Sequence, residues 1–217
     1  MEWLETTHEP SIKRTILRDE VKEYILKAIL SGALKPEDRI VETQVARHLG
    51  VSQAPVREAL RELEQIGVLL SKPYRGTFVK KLSIEELKER YIVRASLEET
   101  AARLAVPKLS EDIIQKLEQL IENMIMTAEA GDLRQMISLD VEFHRTFIRA
   151  SGNEFLLSVW ENINPGSWTM VTTHYAKRDL VELAKRHHDV LNALISGDPM
   201  HASYVIRAHI EELAPNC

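Results

Sequence analysis

The strongest constraint on the fold is a series of helical segments in the latter part of the chain, separated by short turn sequences. From residue 84 to residue 213, apolar residues recur with the period of an α-helix, and sequences such as "SGN", "NPG" and "SGDP" interrupt them. Short connections of this kind are typical of an antiparallel helical bundle. The predicted helices span 84–105, 110–129, 132–150, 154–175 with a break around Pro165, 178–196 and 199–213.

Within the helix predicted for 132–150, a carboxylate and an imidazole lie in the middle of the apolar face. Asp140 and His144 are four residues apart and therefore share one side of the helix. Ile137, Val141 and Phe147 mark that side as the one that packs in the core. Burying such groups without partners costs several kcal/mol, so this pair needs other polar groups nearby.

The last two predicted helices carry the same anomaly, with His187 and His209 at the centres of their apolar stripes. Four buried polar groups on three helices can satisfy one another only by converging. One carboxylate and three neutral imidazoles suit a divalent metal such as zinc, with nickel, iron or manganese as further candidates. The alternative is that these residues form a hydrogen-bonded network in the core without a metal.

Residues 19–82 predict a winged helix-turn-helix domain, because helical segments precede two β-prone runs around a turn. The helices are predicted at 19–30, at 42–50 and from Ser52 to Gly67, and the hairpin lies within "VLLSKPYRGTFVKKL". Residues 1–18 are polar and are predicted to be a mobile segment. The predicted fold class is therefore mainly α, with an N-terminal winged helix-turn-helix and a C-terminal all-α antiparallel bundle at 83–217.

The charge distribution supports a division into two domains with different partners. Residues 11–80 contain 13 Lys and Arg against 9 Asp and Glu, whereas residues 81–217 contain 15 against 21. The N-terminal part is thus modestly basic although the whole chain has a net charge of −5. The only cysteine is Cys217, and the N-terminus lacks an apolar signal segment, so we expect a cytoplasmic protein without a membrane partner.

A recognition helix exposes polar residues in its first turns, where Ser52, Gln53 and Arg57 lie in this sequence. Arg57 could form two hydrogen bonds with guanine or pair with a phosphate. Arg75 and Gly76 lie at the predicted hairpin tip, where a wing could enter the minor groove. The competing interpretation is that arginines and glutamates of the helix merely pair with one another in solvent, namely Arg57 and Arg61 with Glu58, Glu62 and Glu64.

The segment "LGVSQAPVREALRELE" resembles the DNA-binding domain of GntR-family bacterial transcription regulators, and the resemblance covers about residues 19–80. It implies contacts to double-stranded operator DNA from Thr43, Gln53, Arg57 and Gly76. The family usually has Arg at position 53 and often Thr at Ala54, so the usual operator sequence is in doubt here. Gln53 could instead recognise adenine or contact a phosphate.

The segments "VRASLEETAARLA", "DVEFHRTFIRASGN", "HHDVLNALISGD" and "RAHI" resemble the FCD effector domain of the FadR subfamily of GntR regulators. In metal-binding members the ligands correspond to Asp140, His144, His187 and His209, and the motif selects His187 rather than His188. The acyl-CoA-binding members lack this ligand set, so the resemblance argues against an acyl-CoA effector.

The resemblance also places Arg94 near the effector pocket. The competing interpretation is an intrahelical pair of Arg94 with Glu98, worth only ~0.3–0.5 kcal/mol. Asn153 either lines the pocket or caps the preceding helix at its C-terminus, and the cap is favoured.

Together the resemblances imply a homodimeric, ligand-responsive transcription regulator, more commonly a repressor, with a metal and a small carboxylate effector. Two alternatives remain open at this point. The helical domain could be a metal-dependent enzyme, although the sequence has no HExxH motif and no obvious general base. The metal could also be purely structural in a constitutive DNA-binding protein.

Overall fold

The computed structural model describes residues 10–81 and 83–214, with side chains from residue 17 onward except at 174 and 175. The chain divides into two compact units, Met1–Leu82 and Ser83–Cys217. The described elements of the first unit are α1 (Pro10–Leu30), β1 (Arg39–Ile40), α2 (Glu42–Leu49), α3 (Gln53–Gln65), β2 (Leu69–Lys72) and β3 (Gly76–Val79).

The first unit forms because α3 is amphipathic and buries one stripe against its neighbours. Val56, Leu60 and Leu63 are buried, and α1 packs against this helix. Gly50 ends α2 in the left-handed conformation, at φ 68°, as expected for a glycine after a helix. The strands form an antiparallel sheet in the order β1-β3-β2. Helices followed by a small sheet confirm the predicted winged helix-turn-helix class.

Two features of this unit differ from the prediction. The first helix begins at Pro10 rather than near residue 19, so residues 10–18 of the segment predicted to be mobile are helical, and residues 1–9 lie outside the described residues. The sheet also contains a third strand, β1, whose two residues are too short to produce an alternating sequence pattern.

The second unit is helical throughout its described residues, apart from turns and a short 3₁₀ segment at Val106–Lys108. Its core is a continuous apolar cluster that includes Phe143, Phe147 and Trp160. The helices are α4 (Ile84–Ala105), α5 (Glu111–Glu129), α6 (Leu133–Ala150), α7 (Glu154–Asn162), α8 (Pro165–Ala176), α9 (Leu180–Lys185), α10 (His187–Ile195) and α11 (Pro199–Glu211).

Capping side chains define where most of these helices begin. A side-chain oxygen at the N-cap accepts a hydrogen bond from a backbone amide of the first turn, which has no partner within the helix. The N-cap residues that do so are Ser83, Ser110, Asp132, Asn153, Asp179 and Asp198. Asn153 is therefore a cap, but it caps the start of α7 rather than the C-terminus of the preceding helix.

We expect Asn153→Ala to lower the free energy of unfolding by about 1 kcal/mol, because the amide of Leu156 loses its 3.0 Å hydrogen bond to Asn153 Oδ1. Urea unfolding of the two proteins measures the difference. Asn192→Ala is the matched control, because Asn192 is exposed within α10 and is not a cap residue. An Asn153 variant as stable as the wild type would contradict the capping role.

The helix predicted for 178–196 is interrupted at Arg186 and forms α9 and α10. The His187 ring explains the interruption, because its Nδ1 lies 3.1 Å from each of the carbonyl oxygens of Leu183 and Ala184. A side chain that bonds these carbonyls competes with the regular helical hydrogen bonds. The predicted break around Pro165 is present between α7 and α8.

The packing of α8 against α6 depends on a glycine. A Cβ added to Gly166 would lie 2.8 Å from Val141 Cγ2, so only glycine allows this approach. The contact holds α8 against the helix that carries Asp140 and His144. Among the described helices, none combines the length and apolarity that crossing a membrane requires.

Candidate metal centre and nucleic-acid interface

Three histidines from different helices meet in the interior of the second unit. His144 of α6, His187 of α10 and His209 of α11 are buried, and one ring nitrogen of each lies within 4.8 Å of the others. Asp140 joins two of them, with its Oδ1 3.2 Å from His187 Nε2 and 3.9 Å from His144 Nε2. The four residues singled out by the helical stripes are therefore brought together.

Contacts on the far side of the His187 and His144 rings indicate which nitrogen of each faces the cluster. Carbonyl oxygens only accept, so His187 Nδ1 must carry its proton toward Leu183 and Ala184. His144 Nδ1 lies 2.5 Å from Glu98 Oε2, within ion-pair distance, so a proton on Nδ1 would face this carboxylate. Both arrangements leave Nε2 with a free lone pair, as in histidines that ligate metals.

Glu98 is a central member of the site that sequence reasoning assigned only to a helical ion pair. Its Oε1 accepts hydrogen bonds from Arg94 Nε at 2.6 Å and from Trp160 Nε1 at 2.7 Å, while Oε2 faces His144. Burial alone would raise the pKa of Glu98, but the charge of Arg94 and the contact with His144 lower it to about 2. Glu98 is therefore a buried carboxylate, and its position on the same face as Arg94 was the available sequence signal.

Arg94 is buried and connects the two carboxylates of the site. Its Nη1 donates to Thr169 Oγ1 at 2.8 Å, and its Nη2 lies 3.9 Å from Asp140 Oδ2. The Arg94–Glu98 pair, which was the alternative to an effector role for Arg94, is therefore present. It lies in the interior and not on a solvent-exposed face of the helix. Arg94 also borders a pocket of about 260 Å³ that Tyr91 and Trp168 help to line.

Buried atoms without hydrogen-bond partners make this cluster a candidate cation site. Asp140 Oδ2 and the Nε2 atoms of all three histidines are buried without a hydrogen-bond partner. Burial, followed by the neighbouring His187 and His144, lowers the pKa of His209 well below its usual value, so this imidazole is neutral. Burial alone would raise the pKa of Asp140, but the adjacent His187 and the charge of Arg94 hold it below its usual value.

The spacing of these atoms is compatible with one ion. Two ligand atoms that each lie ~2.1 Å from a metal are separated by roughly 3–3.5 Å. The separations are 3.2 and 3.9 Å between Asp140 and two histidines and up to 4.8 Å among the histidines, so the longest would have to shorten by about 1.3 Å to reach 3.5 Å. The residues present therefore fit a divalent cation.

In the first unit, the residues predicted to contact DNA lie on exposed surface. Thr43 of α2, and Ser52, Gln53 and Arg57 at the start of α3, are all exposed. Ser52 occupies the N-cap position, but its side chain makes no capping hydrogen bond. The exposed residues at the start of α3 are thus Ser52, Gln53, Ala54 and Arg57, of which only Ala54 is apolar.

The ion pair of Arg57 differs from the alternative that the sequence suggested. Arg57 pairs with Glu42 of α2 through bonds of 2.7 and 3.1 Å, not with a glutamate of its own helix. Glu62 instead pairs with Arg18 and Lys22 of α1. Because the Arg57 side chain is 55% exposed, its guanidinium remains accessible beside this partner.

Arg75 is the last residue of the turn between β2 and β3, Gly76 is the first residue of β3, and both are exposed. Gly76 has φ 98°, which other residues rarely adopt, and an added Cβ would lie 3.2 Å from Arg39 Nε. Tyr74, which sequence reasoning did not select, is fully exposed beside them. An exposed aromatic ring at a turn has no pattern that distinguishes it in a single sequence.

Comparisons with known proteins agree with these two units. The chain matches the family model described as bacterial regulatory proteins, gntR family, over residues 17–79, and the FCD domain model over residues 89–212. It is 32% identical over 204 residues to the probable D-xylose utilization operon transcriptional repressor of Paenarthrobacter nicotinovorans, covering 94% of this chain and 90% of that protein.

Two similarities to Escherichia coli proteins extend over most of the chain. The transcriptional repressor RspR is 24% identical, with 91% of this chain and 87% of that protein covered. The solved structure of McbR superposes with a TM-score of 0.69 at 27% identity, with 90% of this chain and 93% of that chain covered.

Proposed function

The chain belongs to the GntR family of bacterial transcription regulators and carries an FCD domain, and from this premise we propose that it is a metal-containing repressor controlled by a small carboxylate. The convergence of Asp140 with three buried histidines carries the proposal. Two of the similar proteins are named repressors, which favours repression over activation. A repressor acts where its operator lies, so we assign this chain to the cytoplasm.

DNA recognition is assigned to the exposed start of α3 and to the turn between β2 and β3. Gln53 and Arg57 would meet base edges in the major groove, and Ser52 and Thr43 would contact the backbone. Arg75 and Gly76 would approach the minor groove. We propose a two-fold homodimer, because two such units would then bind the halves of a near-palindromic operator.

The metal ligands are proposed to be Asp140, His144, His187 and His209, with zinc as the preferred ion and nickel, iron or manganese as alternatives. When bound, the ion would supply a positively charged Lewis-acid centre with room for additional ligands. Glu98 orients the ring of His144, and the carbonyls of Leu183 and Ala184 orient the ring of His187.

The effector is proposed to be a small carboxylate because of the charge of the loaded site. Asp140, Glu98 and Arg94 together have a net charge of −1, which a divalent ion would change to about +1. Arg94 would orient the carboxylate, since guanidinium groups bind carboxylates with well-defined geometry. Effector binding would favour one arrangement of the two DNA-binding units and release the operator.

The Arg57 assignment is tested with DNA sequences selected from a random duplex library by the full-length protein. We expect Arg57→Ala to weaken binding to the selected site by about 1–3 kcal/mol. We also expect the slope of log affinity against log salt concentration to fall by about 1, as for the loss of one phosphate contact. Fluorescence anisotropy at several salt concentrations measures both. Unchanged affinity would remove Arg57 from the recognition surface.

Arg103→Ala is the matched control for Arg57→Ala, because it removes the same charge from an exposed position on α4, outside the DNA-binding unit.

The effector assignment is tested in the same assay by adding small carboxylates to the metal-loaded protein. Operator affinity that no carboxylate changes would favour a purely structural metal.

A further inference from the structure

Two pockets on one side of the helical unit share Arg186 and His209. The inner pocket lies against the candidate metal ligands Asp140, His187 and His209 and has a volume of about 10 Å³. The outer pocket opens along α10 and α11, is bordered by Tyr204 among others, and has a volume of about 260 Å³. Arg186 therefore stands between the candidate metal centre and a space that reaches the surface.

The two volumes decide which space can hold a metabolite. A cavity of 10 Å³ has room for about one water molecule. The outer pocket is close to the lower end of the range typical for small-molecule sites. A ligand that enters from the outer pocket must therefore displace what separates it from the histidines, which includes the side chain of Arg186.

The contacts of Arg186 are of a kind that another carboxylate could replace. Its Nη2 donates to the carbonyl oxygen of His209 at 3.0 Å and to Glu212 Oε2 at 2.5 Å. Glu212 is 66% exposed and lies at the C-cap of α11, where the helix dipole disfavours a negative charge. A pair with one exposed partner contributes little to stability, so replacing Glu212 costs little.

We propose that Arg186 is the ligand-recognition residue at the entrance to the metal centre, and that Glu212 occupies it until a small dicarboxylate takes its place. One carboxylate binds the guanidinium of Arg186, and the second extends toward the three histidines. The inference rests on the metal site proposed above. Because Arg186 directly precedes His187 at the break between α9 and α10, its displacement also alters the start of the helix that carries this ligand.

Succinate is a suitable probe, and its affinity for zinc-loaded full-length protein is measured by isothermal titration calorimetry. We expect Arg186→Gln to weaken succinate binding about tenfold or more, because a charge-assisted pair is lost. We expect Glu212→Gln to strengthen it about two- to fivefold, because the internal competitor is removed. Glu211→Gln is the matched control, since Glu211 pairs with Arg207 and is not among the residues lining either pocket.

A second measurement does not depend on succinate. EDTA should extract zinc several-fold faster from Glu212→Gln than from the wild type, whereas Glu211→Gln should match the wild type. Circular dichroism shows whether Arg186→Gln folds. If it does not fold, the comparison of Glu212→Gln with Glu211→Gln still tests the proposal. Extraction from Glu212→Gln at the wild-type rate would overturn the role of Glu212 in closing the entrance.

Elemental analysis of the same samples separates this inference from the function on which it rests. A wild-type protein without metal overturns both. If the metal-loaded wild type does not bind succinate, the dicarboxylate proposal is overturned. If Arg186→Gln binds succinate as tightly as the wild type does, Arg186 is not the recognition residue. In both of the latter cases the proposed metal site survives.

Discussion

Replacing His187 and His209 together by alanine is expected to abolish stoichiometric metal binding. The substitutions remove two of the four candidate ligands, and Asp140 and His144 alone offer one carboxylate and one imidazole. Structural sites for zinc need about four protein ligands and catalytic ones about three, so the remaining pair should not retain an ion through dialysis. Elemental analysis of protein purified without a His tag or added metal measures the content directly.

The same variant should lose the stabilisation that a bound metal gives. A ligand present at ~1,000 times its Kd stabilises the folded state by about 4 kcal/mol, so zinc should raise the Tm of the wild type and leave that of the double variant unchanged. The matched control is His188→Ala with His201→Ala, because these histidines lie on the same two helices but are exposed.

A double variant that kept about one ion per chain would refute the ligand assignment. Absence of metal from the wild type under several loading conditions would make the cluster a hydrogen-bonded core network. The orphaned Nε2 atoms of the three histidines argue against that network, because a satisfied core histidine would have partners on both ring nitrogens. The family membership and the winged helix-turn-helix unit do not depend on this result.

The sequence was sufficient to identify the four candidate ligands, because the helical period alone assigns each of them to the apolar face of its helix. His187 and His188 are adjacent, yet the apolar stripe selected His187, and the structure buries it while His188 is exposed. Helix starts were similarly accessible, because Ser110, Asp132 and Asp198 precede their helices as N-caps. These signals are local, because each can be recognised from residues that lie only a few positions apart in the sequence.

The features that the sequence did not reveal depend on contacts between distant segments. Arg57 pairs with Glu42 across the turn between α2 and α3, whereas sequence reasoning considered only partners on the same helix. The interruption at Arg186 arises from the bonds of the His187 ring to the backbone, which no composition signal marks. The environment of Glu98 was hidden for the same reason, because Trp160 and His144 reach it from other helices.

Glu98→Gln should weaken metal binding and destabilise the fold together. Loss of the carboxylate that orients a ligand histidine typically lowers metal affinity about 10–100-fold. It also leaves the buried Arg94 without its closest counter-charge, which costs about 3–5 kcal/mol in comparable buried pairs. Zinc titration against a competing chelator and urea unfolding of the metal-free protein measure the two effects.

The pKa of Glu98 supports the size of the stability effect and gives it a pH dependence. The folded value of about 2 lies below the value of ~4.3 for an unfolded chain, a difference that corresponds to about 3 kcal/mol at neutral pH. Because the pKa is lowered on folding, this stabilisation is complete above ~4.3 and is lost as the pH falls through about 2. The difference between the two metal-free proteins should therefore be constant from pH 7 to about pH 5 and shrink below that.

Glu99→Gln is the control that separates this role from a general loss of charge on α4. Glu99 is the next residue, and its side chain is 36% exposed and pairs with Arg207 at 2.7 Å. A surface pair contributes only ~0–1 kcal/mol, so this variant should bind zinc as the wild type does and unfold at nearly the same urea concentration. Equal effects of the two substitutions would mean that Glu98 does not orient His144, and that burial of the Arg94 pair has no special role in the site.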